Sequence, residues 1–314
     1  MQESLLLVVV SVIVIVAAVY GLAYWAYRAR SDRSAYFGLY LLIAFPSTLM
    51  LVSSLVTLWL GDQRLASVLL LISIGLGLPM LKPFRQLLAK VTPIDPDSPT
   101  DMAGLAVLLG LAGSLLGLTV TVPTPTSLEG VSPNIPELLL QAAVFVLVAY
   151  FTVGWRIVRT FGEATARLGI TRPTWETLAA AAGFTVLAFL TAIAVNVIAL
   201  FVQPELAESM NALTEDLTAN FQNPVGALIL GISAGVGEEA LFRGALQPRY
   251  GIVLTSIVFA LLHAPQYGLN LAVLGLFAVS ILLGLARNYF GTTTAMIAHA
   301  AYNAIQVLLV IYVV

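Results

Sequence analysis

The chain contains only two histidines, His263 and His299, and each lies inside an apolar segment. A pair of adjacent glutamates, Glu238 and Glu239, lies in the apolar segment just before them. Ionisable groups at membrane depth are costly, and by default they are functional. In G-V-G-E-E-A-L-F-R-G, Glu239 and Arg243 are four residues apart and share a helix face, which predicts an ion pair. Glu238 points about 100° away around the helix and is left without that partner. F-A-L-L-H places Phe259 one turn before His263, and H-A-A-Y-N places His299 one turn before Asn303, with Gln306 continuing the polar stripe. Taken singly, each histidine is a weak signal, since a lone intramembrane histidine can simply hydrogen-bond a backbone carbonyl and tie helices together. Taken jointly, the residues suit chemistry. A carboxylate facing an imidazole can take a proton from water, since low dielectric moves the two affinities toward each other. An imidazole with an amide one turn away offers two donors to a developing oxyanion. Together they describe peptide-bond hydrolysis by activated water, with no Ser or Cys nucleophile.

The elements that must hold these residues are membrane helices. Of 314 residues, 60% are hydrophobic and 10% charged, against roughly a quarter charged in soluble domains. Apolar runs predict an all-α, polytopic bundle with ten spans, at 5–27, 36–60, 65–81, 102–122, 137–157, 178–201, 225–246, 252–267, 269–286 and 292–314. The first run lacks a basic lead and a small-residue cleavage site, so it reads as a retained helix and not a signal peptide. With ten spans the loops alternate sides, and Arg64 alone of the 14 Lys and Arg residues falls on one of them. That asymmetry predicts cytoplasmic basic loops and both termini outside. It also leaves no extended basic face for a nucleic acid. With no cysteine in the chain, disulfides, thiol nucleophiles and cysteine metal sites are excluded.

On this topology Glu238 lies ~12 Å, His263 ~16 Å and His299 ~10 Å from the inner ends of their helices, at 1.5 Å per residue. The three motifs therefore share one level, in the cytoplasmic half of the membrane. Residues 92–101, T-P-I-D-P-D-S-P-T-D, read as a flexible cytoplasmic linker between an N-terminal part, 1–91, and a seven-helix module, 102–314. Just before it, Phe84, Leu87, Leu88 and Val91 form one face among Lys82, Arg85 and Lys90, which suits a short interfacial helix under anionic headgroups. Leu206, Met210, Leu213, Leu217 and Phe221 are spaced for an amphipathic helix on the outer surface, with Pro204 at its start. Gly231 and Gly235 form a small-xxx-small pair that allows close helix packing.

These motifs resemble those of a known family. E-E-A-L-F-R at 238–243, F-A-L-L-H at 259–263 and H-A-A-Y-N at 299–303 are similar to EExxxR, FxxxH and HxxxN of the CPBP intramembrane proteases, the CAAX protease and bacteriocin-processing (Abi-type) family. L-G-I-T-R-P-T-W-E, 168–176, is similar to the cytoplasmic segment that often precedes that domain, and the protease core falls at about 175–314. The resemblance implies an endopeptidase acting within or beside the membrane on a membrane-associated peptide or protein. It implies that Glu238 and His263 activate water, that His299 and Asn303 stabilise the oxyanion, and that Glu239, Arg243 and Phe259 support the site. Eukaryotic members trim prenylated C-a-a-X proteins, and many prokaryotic ones have no assigned substrate or are tied to bacteriocin processing and self-immunity.

The family is often called a metalloprotease, and Glu238, His263 and His299 are the candidate zinc ligands. A zinc site usually keeps a separate carboxylate as base, yet Glu239 is better explained by Arg243, and Asn303 suits an oxyanion hole better than a metal. A metal-independent mechanism is therefore favoured. A proton-coupled transporter and a non-catalytic adaptor or immunity protein are the alternatives, although no inverted pair of broken helices marks a transporter. The expected location is the cell membrane, as a multi-pass protein in contact with the lipid bilayer.

Overall fold

The computed structural model describes residues 2–121, 133–205, 212, 214–216 and 218–312, with side chains from Val9 onward. The described residues form an all-α bundle, 85% helical and without strands. The helices are α1 (Gln2–Arg28), α2 (Arg33–Trp59), α3 (Gln63–Gly77), α4 (Lys82–Leu88), α5 (Pro99–Thr121) and α6 (Ile135–Thr152). They continue with α7 (Phe161–Arg167), α8 (Trp175–Val202), α9 (Pro224–Glu239), α10 (Gln247–Tyr267), α11 (Leu271–Phe290) and α12 (Thr292–Tyr312). A π-helical turn, Ala240–Leu246, joins α9 to α10. The helix starts follow from side chains that satisfy free backbone N–H groups. Asp32, Asp62, Asn134, Thr160, Thr174, Asn223 and Asn270 each cap the helix that follows. The outer surface is apolar, with Phe45, Leu55, Leu190 and Ile232 all exposed, as lipid-facing side chains are.

Nine described stretches are long and apolar enough to cross a membrane, where the sequence predicts ten. The difference is one continuous stretch of 44 residues, Pro224–Tyr267. Straight, it would run ~66 Å, about twice the thickness of a bilayer core. It is not straight, because Gly251 has φ 80° and ψ 166°, a conformation open to glycine and strained for other residues. Phe242 and Phe259 flank that residue at nearly equal separations, and their ring centroids are 5.2 Å apart. The chain therefore folds back on itself at Gly251. The segments expected at 225–246 and 252–267 form a hairpin whose joint is a single glycine with no loop.

Residues 92–101 do not form a free linker. Ile94 is buried with Leu105, Phe242, Tyr250 and Phe259 in the core beneath the hairpin. Arg85, expected at the headgroups, is also buried. It donates to the carbonyls of Pro79 and Pro96, which closes the turn between α4 and the following segment. Leu87 on α4 and Val91 in the turn after it remain exposed. Of the outer amphipathic stretch, Leu206, Met210, Leu213 and Leu217 lie outside the described residues, whereas Phe221 is buried against Ala227 and Val307.

The N-terminal helices and α5 form one packed body. A Cβ on Gly75 would lie 2.2 Å from the Leu109 carbonyl oxygen, and one on Gly113 would lie 2.3 Å from that of Leu71. With hydrogen there instead, α3 and α5 touch backbone to backbone, the contact that lets helices associate in lipid.

Candidate active site

The position of α9 on α12 sets the site. A Cβ on Gly231 would meet the Ala300 carbonyl oxygen at 2.4 Å, and one on Gly235 would meet that of Met296 at 2.6 Å. The small-xxx-small pair therefore presses α9 against the turn of α12 that carries His299. One turn beyond Gly235, Glu239 arrives beside the imidazole. Its Oε1 lies 2.8 Å from His299 Nδ1 and its Oε2 lies 3.0 Å from Arg243 Nε. Glu239 and Arg243 are fully buried, and His299 nearly so. The Arg243–Glu239 contact is an ion pair by distance but lacks hydrogen-bond geometry, leaving Arg243 Nε and Nη1 and Glu239 Oε2 without hydrogen bonds. Arg243 Nη2 donates to the carbonyl of Ser280 at 3.2 Å and contacts Ser280 Oγ at 3.1 Å, which ties the pair to α11.

The expected Glu239–Arg243 pair is present, and it has a partner that no spacing rule reveals. The link from Glu239 to His299 joins different helices 60 residues apart in sequence. The only advance sign of it is the pair of glycines, which fixes the helix contact but not what lies beside it. The π-helical turn starts directly after Glu239, and such turns widen a helix where function needs it.

Phe259 is the partition of the site. Arg243 lies over its ring at 4.8 Å, and the rings of His263 and His299 lie 5.1 and 6.1 Å from it. The two histidines therefore flank one phenyl ring. His263 Nδ1 is 3.0 Å from the Phe259 carbonyl oxygen. A carbonyl only accepts, so Nδ1 carries the proton and Nε2 of a neutral His263 is a free acceptor. The same reasoning gives His299 a proton on Nδ1 toward the Glu239 carboxylate, leaving its Nε2 for another partner.

Glu238 is placed apart from this knot. It is half-buried and lines a small crevice between α9 and α6 with Gln141, Ala142 and Phe145. It makes no side-chain hydrogen bond among the described residues, yet it lies within electrostatic reach of Arg243 and His299. Asn303, half-buried one turn beyond His299, likewise has no side-chain hydrogen bond among the described residues. The structure thus brings Glu239, Arg243, Phe259, His263 and His299 into one connected group, with Glu238 and Asn303 at its edges.

Zinc held by Glu238, His263 and His299 requires three donors on one point. Among the described residues no three His, Asp or Glu side chains converge in that way. The carboxylate that does reach His299, Glu239, already faces Arg243. The donor set does not fit a metal site in this arrangement.

The start of α12 is fixed from outside the motifs. Thr292 Oγ1 donates to the Leu168 carbonyl at 2.6 Å, and Thr293 Oγ1 both accepts from Thr171 N–H and donates to its carbonyl, each at 2.9 Å. The segment at 168–176 therefore sets the axial position of the helix that carries His299 and Asn303.

The family model for type II CAAX prenyl endopeptidase Rce1-like proteins matches residues 220–305, a stretch that holds all three motifs and the hairpin. No curated protein and no solved structure matches the chain. Residues 220–305 of this multi-pass membrane protein are thus similar to the type II CAAX prenyl endopeptidases, the family that its three motifs resemble.

Proposed function

We propose that the protein hydrolyses a peptide bond of a membrane-associated substrate with a water activated by Glu238 and His263. The observation that carries this reading is the division of labour between the two glutamates. Glu239 is fully buried and committed to Arg243 and His299, whereas Glu238 is half-buried with an uncommitted carboxylate. A general base must have a free lone pair and access to water, which favours Glu238 over its neighbour. His263 supports this role with an Nε2 left free by the bond of Nδ1 to the Phe259 carbonyl.

The proposed step begins as Glu238 takes a proton from water and the oxygen attacks the scissile carbonyl. The oxyanion that forms is met by His299 Nε2–H and the Asn303 amide. For that role His299 must be protonated on both ring nitrogens. The Glu239 carboxylate at Nδ1 orients the ring for that role. The proton on Glu238 then passes to the leaving amine, and no metal takes part. The protein acts in the cell membrane, with the arginine-rich loops in the cytoplasm.

The test is a peptide-library cleavage assay on protein reconstituted in lipid. Wild type is expected to cleave, and to keep cleaving after exhaustive chelation. Glu238→Gln is expected to lose at least about a hundredfold in kcat while keeping the wild-type melting temperature, since the amide fills the same space but cannot take a proton. Wild-type cleavage by Glu238→Gln would remove Glu238 from the mechanism. Activity lost on chelation and restored by stoichiometric zinc would replace the base with a metal.

A further inference from the structure

At one edge of the bundle, beyond the buried site, Arg167 lies within electrostatic reach of Arg159, Arg249 and Arg287, each from a separate chain segment. Arg159 follows α6, Arg167 ends α7, Arg249 lies at the hairpin joint and Arg287 lies in the last turn of α11. Arg159 Nη1 and Arg249 Nη2 both donate to Tyr27 Oη, at 3.2 and 3.1 Å, so two guanidinium groups share one neutral oxygen. Arg287 donates from Nε to the Arg243 carbonyl at 3.2 Å. Arg167 has no hydrogen bond or ion pair among the described residues, and it is within electrostatic reach of the other three. Burial and those three neighbouring cations hold the Arg167 guanidinium below its ordinary range.

The local counter-charge is small. Asp101 pairs with Arg249 alone. Glu163, near Arg159, is exposed and already engaged by the Thr160 backbone and hydroxyl at the start of α7. Four guanidinium groups, three of them held by hydrogen bonds, gathered with so little compensation are unfavourable unless an anion completes them.

The surroundings indicate the depth at which that anion sits. Trp155 stacks on Phe151 at 5.4 Å and Phe161 on Tyr150 at 5.0 Å, while Val158 and Phe161 expose most of their apolar surface beside the cations. Aromatic rings next to arginines at the ends of spanning helices mark the headgroup level. From this juxtaposition we infer a binding site for the phosphate of an anionic lipid headgroup, formed by Arg159, Arg167, Arg249 and Arg287 around Tyr27. Guanidinium forks match phosphate oxygens in pairs, and basic pockets between membrane helices hold such headgroups.

Native mass spectrometry of the full-length protein, released from micelles with equimolar phosphatidylglycerol and phosphatidylcholine, tests this inference. Wild type is expected to retain one phosphatidylglycerol in preference to phosphatidylcholine. Arg167→Gln with Arg287→Gln is expected to weaken that preference on the order of thirtyfold. Arg33→Gln with Lys90→Gln removes the same charge from exposed positions and is expected to leave the preference intact. If the first pair unfolds, Arg167→Gln alone serves, because that side chain holds nothing else in place, and a severalfold loss is expected. Equal retention of the two lipids by wild type overturns the inference, as does a preference that survives loss of Arg167. Displacement of the lipid by millimolar inorganic phosphate at the same occupancy would assign the site to free phosphate and overturn the lipid as its source.

Discussion

Glu239 serves two neighbours with one carboxylate. It offsets the charge of Arg243 and it orients His299, both by direct contact. Removing one member of a buried pair leaves the other charge uncompensated, which costs more than the pair contributes. Glu239→Gln is therefore expected to destabilise the folded protein by about 3 kcal/mol and to abolish cleavage, read by thermal unfolding in detergent alongside the peptide assay. A Glu239→Gln protein with wild-type stability would mean that Arg243 is balanced elsewhere. The contrast with Glu238→Gln, expected to be inactive but stable, separates the two adjacent glutamates by measurement. At this scale the sequence was informative about identity but not about partners. The four-residue spacing of Glu239 and Arg243 is a helical rule and the pair is present. The Glu239–His299 and Arg243–Ser280 contacts join different helices and have no signature in spacing.

Close packing of α9 on α12 is the element-scale requirement. A side chain at Gly235 would meet backbone atoms, the Met296 carbonyl oxygen at 2.6 Å and the Ala300 nitrogen at 2.8 Å, so nothing flexible can move aside. Gly235→Val is expected to push the helices apart, lower stability by roughly 2–3 kcal/mol and reduce kcat at least tenfold through loss of the Glu239–His299 contact. Unfolding and cleavage measured on the same preparation check both. The glycine pair is legible in the sequence as a close-packing signal, whereas its partner helix is not. The hairpin joint was half legible in the same way. Two apolar runs separated by Gly251 predict two segments, but only the positive φ of that glycine explains how they reverse without a loop.

At the scale of the whole molecule, hydropathy made the polytopic helical bundle legible, because lipid demands self-satisfied apolar helices of near-fixed length. It misread the polar segments. The three prolines and three aspartates of 92–101 suggested a free linker, yet Ile94 is buried and Asp101 is paired with Arg249. Arg85 looked like a headgroup contact and is instead a buried clamp on two carbonyls. Composition cannot distinguish a polar segment that faces water from one that ties a turn to the core. The orientation that we propose from charge asymmetry is open to direct test, since the chain has no cysteine. In intact cells a cysteine replacing exposed Gln63 is expected to react with an impermeant thiol reagent, and cysteines at Lys90 or Gly162 are not. Labelling at Lys90 would reverse the topology.

The bonds from Thr292 and Thr293 to residues 168–171 also bear on how far the protein could be pared down. The stretch that carries the family signature, 220–305, contains every proposed catalytic side chain. It does not contain the anchor that sets the height of its last helix, nor the Ile94 floor beneath its hairpin. An excised 220–305 fragment would keep the vocabulary of a protease and lose its grammar, with His299 free to slide along α9 past Glu239. Evolutionary grafts or engineered transplants of this module therefore have to carry a docking surface equivalent to residues 94 and 168–171.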